Sequence, residues 1–392
     1  MNKFDTACRT GKPDIAIIGG GPAGFTLAAL LAPAGIRVLL ADSSGSTPSL
    51  KNVTPDGRTA ALMGGSIDTL TAAGVWPLLE SYASPLRRMA VVDDSRFPAN
   101  PDAMIEQGFA AHELGRDAFG WNMSLTAMRA ALNDVLKTHK NVTVRFDTTV
   151  TDFASLGASL IVGCDGRDSK VRDFAGIGVK RHAYGQSAIT CLIRHSQPHL
   201  DTSTEFHRPG GPFTIVPCRN DTSAIVWVEK TDDAQRFLKL PKPRFVEELQ
   251  SRTRDYVGTI ELISSPACWP LEYVRSTKLT GPRVALAAEA AHVISPIGAQ
   301  GLNLSLRDVS TLAGIIIQAF EIGLDVGSAT VLDRYEKART PDVASRSFAI
   351  DFMNQAVAND KNAVRALRRL ALRALSLPGP WRQLVMKKGL AA

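Results

Sequence analysis

The stretch Asp14-Ile-Ala-Ile-Ile-Gly19-Gly-Gly21-Pro-Ala-Gly24 decides the fold of this chain. Its first half is a short apolar run, which is typical of a buried parallel strand. Its second half is a turn in which the first glycine permits tight bending, the second lets a pyrophosphate approach the backbone, and the third packs helix on strand. The stretch therefore predicts a strand, a phosphate-binding turn and a helix over residues 25–34.

The residues that follow complete a dinucleotide-binding unit. Residues 36–41 are a second apolar run, and Asp42 ends it at about 20 residues after the first glycine, the spacing of an acid that binds a ribose hydroxyl. A chance glycine turn is the alternative, but strand, helix, second strand and acid together argue against it. The candidate cofactor-binding residues here are Gly19, Gly21, Pro22, Ala23, Gly24, Asp42 and the adjacent Ser43.

A second stretch, residues 283–308, has a related pattern. It predicts a strand over residues 284–287, a carboxylate at Glu289, a loop with one proline and two glycines, and a helix over residues 304–322. A carboxylate at a strand end can bind polyol hydroxyls, and a Gly-rich loop exposes backbone N–H groups to a planar ligand. An ordinary strand–loop–helix connection is the alternative. The candidates here are Glu289, Pro296, Gly298, Gln300, Gly301, Leu302 and Asn303.

Two further segments are ambiguous when considered alone. Leu160-Ile-Val162 predicts a third buried strand that runs into Asp165-Gly166, where the acid either holds a phosphate or, as we favour, stabilises the turn. Arg58 precedes a stretch that we predict to be helical to about Gly74, and its charge is either a phosphate ligand or solvated.

The pattern of apolar and polar residues changes between about residues 183 and 270. Alternating and β-branched runs separated by turn clusters predict an antiparallel sheet with one inserted helix over residues 237–252. A strand over residues 88–93 is also predicted. The histidines in or next to this region, His182, His195, His199 and His207, match no metal-ligand spacing, so no metal site is expected.

The length and composition indicate a globular protein. With 392 residues, two domains are the default, and no apolar run approaches the roughly 18 residues of a membrane span. The five cysteines are scattered, and residues 1–13 lack an apolar signal core, so we expect a cytoplasmic protein. The net charge of +7 is concentrated at residues 361–392, which hold eight basic residues and no acid, so nucleic-acid binding is not expected.

The basic tail has two interpretations. Residues 361–375 predict an amphipathic helix with Lys361, Arg365, Arg369 and Arg373 along one face. Such a helix suits an anionic membrane surface, in this case the inner face of a membrane. The alternative is a helix packed on the body of the protein with solvated arginines.

Three motifs in this order, with a sheet between the second and third, resemble the single-component flavoprotein monooxygenases that hydroxylate aromatic rings. The resemblance covers residues 14–389. The motifs are Gly19 to Gly24, Gly163 to Arg172, and Ala288 to Asn303. Within the group, Pro296 to Asp308 is most similar to the ubiquinone-biosynthesis hydroxylases, and para-hydroxybenzoate hydroxylases share much of this loop.

The resemblance implies a fold, cofactors and further site residues. It implies an α/β fold with a Rossmann-like FAD-binding domain in three segments (12–84, 101–180 and 271–340), an inserted antiparallel substrate domain (85–100 and 181–270) and a C-terminal helical region (341–392). Arg58, Thr59, Asn122 and Asp165 fall where the family contacts FAD. NAD(P)H or another donor would reduce the flavin, and O₂ would be the co-substrate. The chain departs from the family at Ala288-Glu289, where Gly-Asp is usual.

The implied reaction is hydroxylation of a hydrophobic phenolic substrate through a flavin C4a-hydroperoxide, with a polyprenyl phenol of ubiquinone biosynthesis as the expected substrate. Other proteins of that pathway are expected partners. Two alternatives stay open: a hydroxylase of a small soluble aromatic acid, which would need a buried arginine, and a non-catalytic flavin- or lipid-binding scaffold. No catalytic base can be named, because His292 is better explained by a structural hydrogen bond.

Overall fold

The computed structural model describes residues 12–54, 56–97 and 104–358, together with residues 369, 370, 372, 379, 382–384 and 386 near the C-terminus. Within these, the chain forms three sheets and nine α-helices. The predicted basic helix over residues 361–375 lies almost wholly outside the described residues. No described helix has the length and apolarity that crossing a membrane requires.

The first sheet holds the dinucleotide-binding unit. Its strands are β1 (Ile15–Ile18), β2 (Val38–Ala41), β8 (Val142–Arg145), β9 (Leu160–Gly163), β16 (Thr280–Gly281) and β17 (Val284–Leu286), in the order β16-β17-β9-β1-β2-β8. All neighbours are parallel except β16 and β17. Strands β1, β2, β9 and β17 are buried, as their apolar sequences predict, whereas the edge strand β8 alternates between half-buried and exposed residues.

Helices cover this sheet and are connected to its strands. They are α1 (Pro22–Leu31), α4 (Leu125–Leu136), α5 (Lys170–Phe174), α8 (Gln300–Glu321) and α9 (Ala329–Ala358). Helix α1 packs against α4 and α8, and α8 packs against α9. The helix predicted from residue 304 begins four residues earlier, so Gly301 to Asn303 form its first turn.

A small three-stranded sheet corrects one prediction. Residues 59–63 form strand β3 (Thr59–Met63) rather than the start of a helix, and helix α2 (Gly64–Ala72) follows, then α3 (Trp76–Leu79). Strand β3 pairs with β7 (Gly120–Ser124), which also pairs with β4 (Ser84–Leu86). The alanines of β3 favour helix locally, but pairing with a strand about 60 residues away overrides that preference.

The large sheet is mostly antiparallel, as predicted. Its strands are β5 (Arg88–Asp93), β6 (Ile105–Ala110), β10 (Val179–His195), β11 (Thr202–Arg208), β12 (Gly211–Pro217), β13 (Thr222–Lys230), β14 (Ile260–Leu262), β15 (Ala267–Ser276) and β18 (His292–Val293). The predicted boundary at residue 100 falls between β5 and β6, which pair with each other, so residues 105–110 lie in this sheet. The predicted single helix is two, α6 (Thr231–Leu238) and α7 (Lys242–Thr253), separated before Pro241.

The two faces of the large sheet have different neighbours. Side chains such as Ile225 and Trp227 pack against α6 and α7 in one core. The alternate positions Leu192, Val216 and Ala224 pack instead against residues of the three-stranded sheet. Because side chains alternate along a strand, the second face is the one turned toward the dinucleotide-binding unit.

Candidate active site

The predicted motifs converge at one edge of the parallel sheet. Ile18 is in register with Ala41 on one side and with Gly163 on the other, and Gly163 is in register with Leu286. The residues after these four strands therefore meet at the carboxyl edge. This edge is where α/β sheets bind nucleotides.

The three glycines of the first motif have separate roles. Gly19 has φ +106, and a Cβ there would lie 2.2 Å from the carbonyl oxygen of Cys164. A Cβ on Gly24 would lie 2.0 Å from the carbonyl oxygen of Gly19, so this glycine permits the helix to pack on the turn. A Cβ on Gly21 would meet nothing within 4 Å. Gly21 is thus dispensable for the protein's own packing, and the space beside it suits a ligand.

Helix α1 points its N-terminus at this space. Pro22 opens the helix, with Ala23 and Gly24 in its first turn. First-turn N–H groups have no partner within a helix, and the helix dipole makes this end positive. The turn is therefore a ready site for a pyrophosphate.

Asp42 is held by an arginine that the sequence analysis missed. Arg129 Nη2 donates to the Asp42 carboxylate at 2.6 Å, and Arg129 Nε donates to the Gly20 carbonyl at 2.8 Å. The Ser44 N–H donates to the other Asp42 oxygen, and Ser43 is exposed. Arg129 thus ties the glycine turn to the end of β2. In the sequence, Arg129 is marked only by being the single charged residue in residues 125–133 of an otherwise uncharged helix segment.

Arg58, Thr59 and Asn122 lie at the small sheet. Arg58 is exposed and pairs with Asp56 at 2.6 Å, and Thr59 begins β3. Asn122 is buried; its Nδ2 donates to the Pro217 carbonyl at 2.8 Å, while its Oδ1 has no partner among the described residues. A buried acceptor without a donor indicates a missing partner. Asn122 thus fits a role at the cofactor better than Arg58 does.

The Asp165 carboxylate caps helix α5. It accepts hydrogen bonds from the N–H groups of Lys170 and Val171 at 2.7 and 3.1 Å, and from the Ser169 hydroxyl at 2.5 Å. The turn interpretation of this acid is therefore correct for its side chain. Nearby Arg172 donates to the Ala290 carbonyl at 3.0 Å, which fastens the second motif to the third.

The departure from the family at Ala288-Glu289 is visible in the backbone. Ala288 has φ +57, a left-handed conformation that costs an alanine about 1 kcal/mol and glycine almost nothing. The Ala288 N–H donates to Asp308, which holds this conformation. Glu289 is exposed, and its carboxylate has no hydrogen bond or ion pair among the described residues. It is therefore free to accept hydroxyls from a ligand.

The loop that begins at Pro296 leads into the N-terminus of α8. This is the second helix N-terminus at the carboxyl edge, after that of α1. Pro296 begins a short 3-10 turn, in which Gly298 has φ +65, and Gln300 follows, its Nε2 donating to the Gly298 carbonyl at 3.2 Å. Gly301 has open space around it, and with Leu302 it supplies first-turn N–H groups of α8. These groups form a second positive helix end beside the edge.

Asn303 is committed to the protein itself. Its Oδ1 accepts from the Met63 N–H at 2.8 Å and the Ser66 hydroxyl at 2.7 Å, and its Nδ2 donates to the carbonyls of Ala61 and Ala299. The side chain fixes the loop against β3 and α2. Its contribution to a cofactor would come from the backbone.

A buried charge cluster anchors the third motif. Asp308 accepts from His292 Nε2 at 2.5 Å and from Arg339 Nε at 2.8 Å, and all three side chains are almost completely buried. Burial opposes the charge on Arg339, but the adjacent carboxylates outweigh it and raise its pKa above the ordinary value. His292 therefore makes the structural hydrogen bond that its position in the motif predicts.

We call the carboxyl edge of the parallel sheet, with the first turns of α1 and α8, the cradle. The side chains opposite the cradle are apolar. One buried cluster joins the small sheet to the large one: Ala61, Met63, Leu86, Leu192, Val216 and Ala224, with Ala299 of the loop packed against it. Further along the same sheet face, His207 Nε2 lies 2.9 Å from the Glu205 carboxylate, and its buried Nδ1 has no partner in the part of the chain that the structure describes.

The described residues fit FAD. Open space at Gly21 and the α1 N-terminus suit its pyrophosphate. The unpaired Glu289 carboxylate suits its ribityl hydroxyls, and the N–H groups at the start of α8 suit the electron-rich edge of its ring. The orphaned Asn122 Oδ1 supplies one acceptor more.

Replacing Glu289 tests this assignment. Because the carboxylate is exposed and unpaired, Glu289→Ala should change the free energy of unfolding of the FAD-free protein by less than about 0.5 kcal/mol. It should weaken FAD binding about tenfold, which corresponds to a lost hydrogen bond with a charged group. Flavin fluorescence titration measures the affinity, and Glu289→Asp is the conservative control. Unchanged affinity in Glu289→Ala would remove this residue from the site.

Comparison with known proteins agrees with the geometry. The FAD binding domain family matches residues 12–347. The chain is 32% identical to the ubiquinone hydroxylase UbiL of Rhodospirillum rubrum, over 95% of this chain and 88% of that protein. It is 27% identical to the 3-demethoxyubiquinol 3-hydroxylase of Escherichia coli, over 97% and 99%.

Solved structures share the fold. The p-nitrophenol 4-monooxygenase of Pseudomonas putida superposes with a TM-score of 0.74 at 18% identity, covering 97% of this chain and 98% of that one. HpxO of Klebsiella pneumoniae, solved with FAD and uric acid, gives a TM-score of 0.73 at 18% identity, covering 96% of each chain. The glycine motif after β1, the site at the carboxyl edge and these relatives agree: the chain belongs to the FAD-binding-domain family and is a flavoprotein monooxygenase.

Proposed function

We propose that this monooxygenase hydroxylates the phenolic ring of a polyprenylated intermediate of ubiquinone biosynthesis. The structural observation that supports the proposal is the apolar cluster between the three-stranded sheet and the large sheet, because Ala299 of the Pro296 loop packs there against apolar rather than charged side chains. The curated relatives, named as ubiquinone and demethoxyubiquinol hydroxylases, support the same substrate class.

The buried arginines among the described residues oppose a small aromatic acid as substrate. Arg172 and Arg339, at the third motif, are bonded to the Ala290 carbonyl and to Asp308. Arg208 and Arg252 are buried in the large sheet domain, but they lie with the core that packs on α6 and α7. Arg208 pairs with Asp94 at 2.8 Å, and Arg252 pairs with Glu248 at 2.6 Å. Because a residue at the opposite sheet face cannot reach the cradle, neither arginine is placed to bind a substrate carboxylate there.

The chain's own groups have defined tasks. The glycine turn and Glu289 hold the cofactor, and the N–H groups of Gly301 and Leu302 stabilise negative charge at its ring edge. The wall of Leu192 and Val216 orients an apolar substrate and excludes water. FAD, when bound, supplies the oxygen-activating redox chemistry. We further propose that NAD(P)H or another donor reduces it and that the protein acts in the cytoplasm, at the membrane surface.

The test is direct. FAD-loaded protein should consume O₂ and reductant only when a prenylated phenol is present, and mass spectrometry should find a product with one added oxygen. Profiling quinone intermediates in a deletion strain should show accumulation of one unhydroxylated precursor. Turnover of a small phenolic acid with no activity on the prenylated compound would contradict the substrate proposal.

A further inference from the structure

The two halves of helix α9 have solvent faces of different chemistry. In the first half, Asp333, Arg334 and Lys337 are exposed, and Asp333 pairs with Lys337 at 2.6 Å. This is an ordinary solvated helix surface. In residues 341–357, the exposed positions carry no charge.

The second half instead exposes large apolar side chains. Phe348 is 72% exposed, Phe352 is 66% exposed and Met353 is 47% exposed. Phe348 and Phe352 are four residues apart, so they lie next to each other on one helix face. We call this surface, with its neighbours Ala349 and Gln355, the α9 apolar face. A continuous exposed patch of this kind marks an interaction site.

The charges of this half are used within the protein. Asp342 accepts from Arg339 and Arg346 at 2.6 and 2.9 Å. Asp351 accepts from the Tyr184 hydroxyl at 2.8 Å and contacts His182. The inward side therefore combines apolar residues (Val343, Ile350 and Val357) with polar and ion-paired ones, whereas the outward side exposes large apolar side chains. This half of α9 thus lacks the charged outer face that a helix on a solvated surface shows.

The inward side of α9 borders the candidate active site. Asn354 is buried and accepts from the Ser295 hydroxyl at 2.8 Å, immediately before the Pro296 loop. It also donates to Gln186 on β10 at 3.2 Å. The α9 apolar face thus lies on the outside of an element whose inside fastens the cofactor loop.

We propose that the α9 apolar face docks on an anionic lipid surface. The chain after α9 carries eight basic residues and no acid over residues 361–392, and this charge complements anionic lipid. An apolar face combined with a basic segment provides the two signals that stable peripheral binding needs. The purpose of the docking, access to a substrate dissolved in the bilayer, rests on the proposed function.

Two of the tail's eight basic residues are among the described residues, and both contact acids of the protein itself. Arg369 Nη1 lies 3.2 Å from Asp93, and Arg382 pairs with Glu113 at 2.9 Å. These arginines are engaged with the large sheet domain. The folded face of α9 should therefore contribute binding that does not depend on them.

The experiment uses full-length, FAD-loaded protein and vesicles of phosphatidylcholine with phosphatidylglycerol. Phe348→Ser/Phe352→Ser should lower the vesicle partition coefficient about tenfold, because two phenyl rings lose their burial. The matched control is Ile322→Ser/Leu324→Ser, which removes two exposed apolar side chains after α8 (72% and 48% exposed) and should change it less than about twofold. In 0.5 M salt, which screens the tail's charge, the difference between wild type and the phenylalanine variant should persist.

Three kinds of result would overturn the proposal. One is a failure of the binding prediction itself, either equal vesicle binding by wild type and the phenylalanine variant or complete loss of wild-type binding in high salt. Another is a wild-type dimer that the variant dissociates with vesicle binding unchanged, which would assign the face to a second copy. The third is a lower unfolding temperature of the variant with unchanged vesicle binding, which would assign it to the chain's own tail. Turnover of a detergent-solubilised substrate should be equal in both proteins, so failure of the proposed hydroxylation is detected separately.

Discussion

Gly21→Ala should weaken FAD binding strongly while the FAD-free protein keeps its free energy of unfolding. An added methyl group meets no protein atom within 4 Å, and the backbone there has φ −74, which alanine adopts freely. The same methyl group would occupy the space that the pyrophosphate needs at the α1 N-terminus. We expect an affinity loss on the order of a hundredfold, about 2.7 kcal/mol of binding free energy.

Gly24→Ala, three residues away, is the matched comparison. Its Cβ would lie 2.0 Å from the Gly19 carbonyl oxygen, which is backbone and cannot move aside. This substitution should destabilise the FAD-free protein by about 3 kcal/mol, because the helix must shift away from the turn. Urea unfolding and flavin titration of both variants give the two quantities. Equal stability losses, or tight FAD binding by Gly21→Ala, would contradict these roles for the glycines.

Asp308→Ala should be the most destabilising substitution among the acidic residues of α8 and α9. Asp308 is about 1% exposed and is the shared acceptor for Ala288, His292 and Arg339. Removing it leaves the buried Arg339 charge with only Asp342 as a partner. Breaking a buried pair in this way costs about 3–5 kcal/mol.

The control for that substitution is Asp333→Ala. Asp333 also pairs with a basic residue on α9, but both partners are more than half exposed, so its loss should cost less than about 0.5 kcal/mol. Asp308→Asn keeps the shape of the side chain and should retain part of the stability. Urea midpoints measure all three. A midpoint for Asp308→Ala near that of Asp333→Ala would show that the cluster does not anchor the third motif.

Local pattern was enough for the dinucleotide-binding unit. The apolar runs, the glycine spacing and the terminal acids lie within about 30 residues of each other, and each strand's partner follows in a βαβ arrangement of fixed hand. The antiparallel domain was also predictable, because alternation and turn residues are local signals. Strand β5 was predicted with the bounds that it has.

The errors occurred where distant pairing decides the conformation. Strand β3 was predicted as helix because its partners, β7 and the Asn303 side chain, are far away in the sequence. Arg129 could not be assigned to Asp42 for the same reason, since 87 residues separate them. Helix α8 begins at Gln300, before the predicted start at residue 304. Its N-cap is Ala299 in a left-handed conformation, which the sequence does not indicate because alanine rarely adopts it.

The sequence by itself determined the fold class and the glycine turn after β1, because a strand, turn and helix are specified by residues close in the chain. Only the tertiary structure decided how the acids are used: Asp165 caps a helix, Asp308 neutralises a buried arginine, and Glu289 has no partner among the described residues and is free for a ligand. It also decided which face of the large sheet meets the cradle and which half of α9 is left apolar. The physical reason is that a side chain's role depends on which groups surround it, and those groups come from residues up to about 240 positions away in the chain.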